Sequence, residues 1–164
     1  MKKIFSKWGE RVKAKLVGET KDRGFQVGVR RTFPISQEEA WRLVASREGL
    51  AFWLGEGGID LKPGQGYETT LGNGEIRIVK PNAQLRLTWK KLGWQRPSTV
   101  QVRFLSVDTN KTTISFHQEL LPDQKERELM KSYWENVLLG IKEKIHSSFI
   151  ENPAGKNVTI TQQY

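Results

Sequence analysis

DQKERELMKSYWENVLLGIKEKIHSSFI, residues 123–150, decides the fold of this chain. Its apolar residues Met130, Trp134, Val137, Leu138, Ile141, Ile145 and Phe149 recur at steps of three and four, the spacing of one stripe on an α-helix. Lys125, Glu128, Lys131, Glu135, Lys142 and Lys144 fall mostly off that stripe. Pro122 precedes the run, and Asp123 is placed to cap its first turn. Asp123, Glu126 and Glu128 near the start and Lys142, Lys144 and His146 near the end suit the helix dipole. The spacing predicts about seven turns of helix with one greasy side, and that side needs a broad apolar surface to lie against.

The preceding residues can supply it. Gly24–Phe33 alternates, with Phe25, Val27, Val29 and Phe33 on one side and Gln26, Gly28, Arg30 and Thr32 on the other. This pattern reads as a half-buried strand, in which Arg31 is the one polar break in the apolar register. Ser36 opens a capping box with Glu39, and Ala40, Trp41, Val44 and Ala45 predict a short helix. Gly49 interrupts it, and Leu50–Leu54 predicts a second. Short strands follow at Ile59–Lys62, Tyr67–Leu71 and Glu75–Val79, then in the alternating runs around Leu85–Lys90, Val100–Phe104 and Ile114–His117. Gly72-Asn73-Gly74 predicts a hairpin turn. The expected fold is α+β: one strand, two short helices, six strands and a long helix. Such an order builds a curved antiparallel sheet wrapped around the C-terminal helix.

The main domain is expected over residues 23–150. Ahead of it, Ile4, Phe5, Trp8, Val12 and Leu16 keep a four-residue period among lysines, which predicts a basic amphipathic helical extension over residues 1–22. Residues 151–164, with Pro153 and Gly155, read as a polar tail.

With 164 residues the chain suits one domain with a sizeable core. No cysteine is present, which excludes disulfides, thiolate metal sites and cysteine nucleophiles. No apolar run reaches the ~18 residues of a membrane span, and the charged N-terminus lacks the apolar core of a signal peptide. A cytoplasmic location is expected. The net charge of +9 is uneven: +7 over residues 1–31, −4 over 32–76, +7 over 77–111 and −1 over 112–164. Two basic blocks make one electropositive surface if the fold brings them together. Solvated strand faces are the blander reading. Contact of residues 2–16 with anionic lipid is a further one, set behind packing on the domain or on a second subunit.

Phe33-Pro34-Ile35-Ser36 with Ala40-Trp41, then Phe52-Trp53, Leu85-x-Leu87-Thr88-Trp89, Thr113-Ile114-Ser115-Phe116-His117 and Tyr133-Trp134-x-x-Val137-Leu138, in this order, resemble the START-related helix-grip superfamily. The likeness spans Gly24 to Ile150. Within the superfamily it is nearest to the branch named after the C-terminal domain of the activator of the heat-shock-protein-90 ATPase. The resemblance implies a cavity between sheet and long helix that takes a small hydrophobic or amphipathic molecule. Trp53, Tyr67, Trp89, Trp94, Phe104, Phe116, Met130 and Trp134 are the residues expected to line it; a filled core is the alternative use of the same side chains. The resulting expectation is a non-enzymatic binding domain, as monomer or homodimer. A protein-interaction module that docks an acidic partner through a basic face stands second, and a cyclase- or hydrolase-like enzyme third.

Little else in the sequence offers chemistry. His117 shares a strand face with Ser115 and Glu119, but residues two apart on a strand do not meet as a triad. Two scattered histidines give no metal set, and no cofactor is expected. Asp60, Glu68 and Glu75 read as solvated strand carboxylates. The glycine pairs at 55–58 and 64–66 read as turns, not phosphate loops. Arg86, Lys90, Lys91, Arg96 and Arg103 are interleaved with Trp89 and Trp94, yet only Trp94 is free of the apolar register, which disfavours a nucleic-acid surface.

Overall fold

The computed structural model describes residues 3–5, 11–13, 16–20 and 24–151. Strands β1 (Lys3–Phe5) and β2 (Arg11–Lys13) form a small antiparallel ribbon. Strand β3 (Phe25–Phe33) leads into helices α1 (Gln37–Ala45) and α2 (Arg47–Leu54). Strands β4 (Gly66–Thr69), β5 (Gly72–Lys80), β6 (Gln84–Lys91), β7 (Ser98–Asp108) and β8 (Lys111–Leu121) follow, and helix α3 (Gln124–Glu151) comes last. The six strands β3 to β8 make one curved antiparallel sheet in the order β3-β8-β7-β6-β5-β4. The first strand of the sheet thus pairs with the last, Val29 opposite Phe116 and Arg31 opposite Ile114.

Period-two alternation sorts each strand into an inner and an outer face. Leu85, Leu87 and Trp89 of β6, Val100, Val102 and Phe104 of β7, and Ile114 and Phe116 of β8 point inward and are buried. Helix α3 lies across them. Met130, Trp134, Val137, Leu138, Ile141 and Ile145 are all at most 7% exposed. Burial of this kind is worth about 1.5–3 kcal/mol per large side chain. Phe149, expected on the same stripe, is 47% exposed. The helix begins as its sequence asks: the Glu126 N–H donates to Asp123 Oδ1 at 2.8 Å. Arg127 Nε donates to the Gln26 carbonyl at 3.0 Å, pinning the first turns to β3. Loss of the cap in Asp123→Ala is expected to cost about 1 kcal/mol. Thermal unfolding checks it; an unchanged melting temperature would show that another group satisfies the first turn.

The helices after β3 also follow local chemistry. Ser36 Oγ accepts from the Glu39 N–H at 3.2 Å and lies 3.3 Å from the Glu39 carboxylate, a capping box. The break between α1 and α2 falls at Ser46, not at Gly49. Ser46 donates its N–H to Arg42 and accepts on Oγ from the Gly49 N–H at 3.1 Å, so one residue closes α1 and opens α2. Gly49 sits inside α2 because a Cβ there would lie 2.3 Å from the Leu43 carbonyl oxygen.

Four further expectations are corrected. Residues 3–5 and 11–13 are strands, with Ile4 opposite Val12, where a helix was expected. Both residues are β-branched and Gly9 stands between them, which weakens the helical tendency the four-residue period suggested. Second, Ile59–Lys62 is a loop: the Lys62 N–H donates to the Asp60 carbonyl and the Gln65 N–H to that of Lys62. Pro63 and Gly64 leave this run too little ladder to hold, and five strands follow α2 instead of six. Third, the β4–β5 hairpin turns at Thr70-Leu71, with Thr69 opposite Gly72, so Asn73-Gly74 lies within β5. A Cβ at Gly74 would come 1.9 Å from the Thr88 carbonyl oxygen, and Gly72, at φ 148°, would place one 2.2 Å from that of Lys90. These glycines serve close approach of β5 to β6, not a turn. The fourth is Phe149, above: with its last turns half exposed, α3 turns that side chain to solvent. The tail from residue 152 lies outside the described residues.

Candidate functional site

The space beneath the first half of α3 is where a cavity was expected. Trp134 enters it from α3 and stacks on Phe116 of β8, with ring centres 4.7 Å apart and planes 13° from parallel. Trp53 of α2 meets both edge-on or tilted, at 5.6 and 5.8 Å. Trp89 of β6 lies 5.9 Å from Trp134 and 5.8 Å from Tyr133. Trp53, Trp89, Phe116, Met130 and Trp134 are each no more than 1% exposed. These side chains occupy the interval between helix and sheet, with the rings in contact. Phe104 is as deeply buried but stands apart from them, edge-on to Trp41 of α1 at 5.3 Å. Trp94, on the β6–β7 loop, is half-buried at the rim, 6.5 Å from Trp89, with Lys91 Nζ 5.9 Å from its ring centre.

The polar tips of these residues are tied to the protein itself. Trp53 Nε1 donates to the Val44 carbonyl at 2.9 Å, and the Tyr133 hydroxyl donates to that of Trp53. Tyr67 OH donates to the Thr88 carbonyl at 2.6 Å, in the room left by Gly74. Burial pushes the Tyr133 phenol up to about 12 and raises that of Tyr67 as well, so both remain neutral donors at ordinary pH. Trp134 Nε1 donates to Gln118 Oε1 at 2.9 Å, Gln118 Nε2 to Ser98 Oγ at 2.9 Å, and Ser98 Oγ to the Trp89 carbonyl at 2.8 Å. Trp89 Nε1 is the one indole of the cluster left without a partner. Gln118 and Ser98, both fully buried, were not singled out from the sequence. Parity could have found them: Gln118 keeps step with Ile114 and Phe116, and Ser98 with Val100 and Val102.

Hollows lie on the outside. One of about 440 Å³ is bordered by Arg47, Glu48, Ala51, Phe52 and Glu56 on α2. Phe52 there packs beside Gly140 of α3, and Lys144 Nζ stands 4.0 Å from its ring centre. A second, of about 350 Å³, is bordered by Arg77, Ile78, Arg86, Thr88 and Thr99 on the outer face of the sheet.

That outer face gathers the cations. Strand register sets Arg30 beside Ser115, Ser115 beside Arg103, Arg103 beside Gln84 and Gln84 beside Lys80. The neighbouring row runs through Gly28, His117, Gln101, Arg86 and Ile78. The two basic blocks of the sequence therefore meet, across β8, in the step from Arg30 to Arg103. Acids on these strands are few: Glu75 lies 3.4 Å from Arg77, and Glu119 lies 3.5 Å from His117 Nδ1. Asp60 is paired with Lys62 at 3.5 Å, and Glu68 is exposed. No grouping of histidine and acidic side chains able to hold a metal ion occurs among the described residues, and no helix among them is long and apolar enough to cross a membrane.

Residues 34–162 match the family model described as Activator of Hsp90 ATPase homolog 1-like protein. No curated protein matches the sequence. Among solved structures the fold is similar to that of CalU16 from Micromonospora echinospora, at a TM-score of 0.65 and 19% identity over 74% of this chain and 76% of that one. It is also similar to PFC0360w, an HSP90 activator from Plasmodium falciparum, at a TM-score of 0.64 and 22% identity over 76% and 97% of the two chains. The Aha1 dimer from Colwellia psychrerythraea gives a TM-score of 0.61 and 14% identity over 72% and 93%. At these identities the likeness is one of fold.

Proposed function

We propose a docking role for this chain, which belongs to the Activator of Hsp90 ATPase homolog 1-like family: its outer sheet face binds an acidic surface of a protein partner. One observation carries the reading. The register of β3, β8, β7, β6 and β5 collects Arg30, Arg103, Lys80 and Arg86 on one face, while the inner face carries aromatic side chains in ring contact with each other. A strand-borne array of three guanidinium groups and one ammonium suits recognition of carboxylates, through charge and, at the arginines, fork geometry. An Hsp90-type chaperone, named in the family description and in the Plasmodium relative's, is the first partner to test. The other reading is a small hydrophobic molecule held by Trp53, Tyr67, Trp89, Trp94, Phe104, Phe116, Met130 and Trp134, taken up among rings that already touch one another.

Binding of the full chain to the Hsp90-type chaperone of its own host, followed by calorimetry, tests the proposal. Affinity is expected to weaken steeply with added salt, and a variant with Arg30→Glu, Arg86→Glu and Arg103→Glu is expected to bind at least about tenfold more weakly. Undiminished binding by a folded triple variant would sink the docking reading. A lipid-like mass retained in gentle mass spectrometry of the protein from its own host would shift the assignment to the interior.

A further inference from the structure

The alternation of β5 breaks at one place. Ile76 faces Leu87 inside the sheet, but the next paired residue, Ile78, faces Arg86, so Arg77 is an extra residue in the ladder. Such a bulge re-aims side chains that strict alternation would send to opposite faces. Here it puts Arg77 and Ile78 together on the outer face, along the hollow of about 350 Å³ that Arg86, Thr88 and Thr99 complete.

The chemistry of that hollow is one-sided. Arg86 has no hydrogen-bond or ion-pair partner among the described residues, and neither has the Thr99 hydroxyl. Thr88 Oγ1 already accepts from the Glu75 N–H at 2.9 Å, which leaves its own O–H to donate. Arg77 is held loosely by Glu75, 3.4 Å away with both side chains largely in solvent, a pairing easily exchanged. The hollow therefore offers two guanidinium groups and two hydroxyl donors around the methyl groups of Ile78. A site of donors with an apolar floor fits a carboxylate on a short methylene stem.

We infer that the bulge hollow is a subsite for one glutamate or aspartate side chain of the partner, with Arg86 as its principal anchor. The inference rests on the docking reading and deepens it: within a broadly basic face, one position selects a carboxylate by geometry as well as by charge. The strand fixes the direction in which Arg86 leaves the sheet, and Thr88 flanks it on the same face, so the anchor and a hydroxyl donor enter the hollow side by side.

The experiment is an NMR titration of the full chain with a blocked hexaglutamate peptide and, in parallel, a hexaglutamine peptide. The side-chain Nε–H signals of Arg77 and Arg86 and the amides of Ile78, Thr88 and Thr99 are expected to shift saturably with the glutamate peptide only. Arg86→Gln is expected to weaken that binding about tenfold, a larger loss than the same change at Arg30. Arg86→Lys, which keeps the charge but not the fork, is expected to recover only part of it. Shifts spread evenly over Arg30, Arg103 and Arg86, with equal losses for Arg30→Gln and Arg86→Gln, would overturn the subsite and leave the docking face standing. A peptide that moves no signal on the outer face would overturn both.

Discussion

Trp134→Ala is expected to remove about 3–5 kcal/mol of folding free energy. The side chain is fully buried at the middle of the packed length of α3, stacked on Phe116 and in ring contact with Trp53, Trp89 and Tyr133. Truncation removes those contacts together, and the surrounding rings, each anchored by its own backbone, cannot collapse fully into the space. It also strips Gln118 Oε1 of its donor. Urea unfolding followed by circular dichroism measures the change as a shift in midpoint at similar slope. A loss below about 1 kcal/mol would mean that Trp134 borders empty space instead of filling it. The hole left by the substitution should also admit small apolar molecules that the parent protein excludes. The variant thus serves as a positive control for any claim of ligand binding.

The second large effect is expected at Gln118. Gln118→Leu keeps the volume but leaves the Trp134 N–H without an acceptor in a dry interior, at a cost of about 1–3 kcal/mol. Ser98 loses the donor to its hydroxyl but keeps its own bond to the Trp89 carbonyl. Because the penalty is an orphaned donor and not lost packing, removing the donor should relieve it. Gln118→Leu combined with Trp134→Phe is therefore expected to be more stable than the sum of the single losses, by about 1 kcal/mol. A double-mutant cycle of unfolding energies gives this number, and strict additivity would show that Trp134 Nε1 finds another partner.

The sequence made the frame of this protein readable because its signals are local and periodic. The stripe from Met130 to Ile145, the alternation of β6 to β8, the Asp123 cap and the Ser36–Glu39 box each depend on neighbours within one turn or one strand. The misplaced hairpin turn has the opposite origin. Asn73-Gly74 carries a turn signature, but its glycines are needed for β6 to approach and for the Tyr67 hydroxyl to reach Thr88. That need arises only after residues far apart in the chain have met, Asn73 opposite Lys90 among them. The N-terminal segment differs for a related reason: Ile4 and Val12 keep the four-residue period, but both are β-branched, and their pairing across two strands is not a local signal. As for the site, the eight proposed lining residues could be chosen by type and position. Whether their rings leave a void between them depends on volumes summed in three dimensions, which no periodicity encodes. The basic face was half legible, since the charge blocks are visible in the sequence but their meeting across β8 is a matter of register.

The pairing of β3 with β8 has a consequence for how the protein is made. Phe25 and Leu121 are partners in one ladder, and α3 follows directly after. During synthesis the first strand of the sheet must wait for nearly a hundred residues before its neighbour leaves the ribosome. The segments made in between carry Trp53 on α2, Trp89 on β6 and Trp94 on the loop after it, and have no long helix to cover them until residue 145 has emerged. Closure is a late and nearly simultaneous event, set by long-range contacts. A truncated or stalled chain is therefore an exposed sheet of aromatic residues, a natural client for the cell's folding machinery.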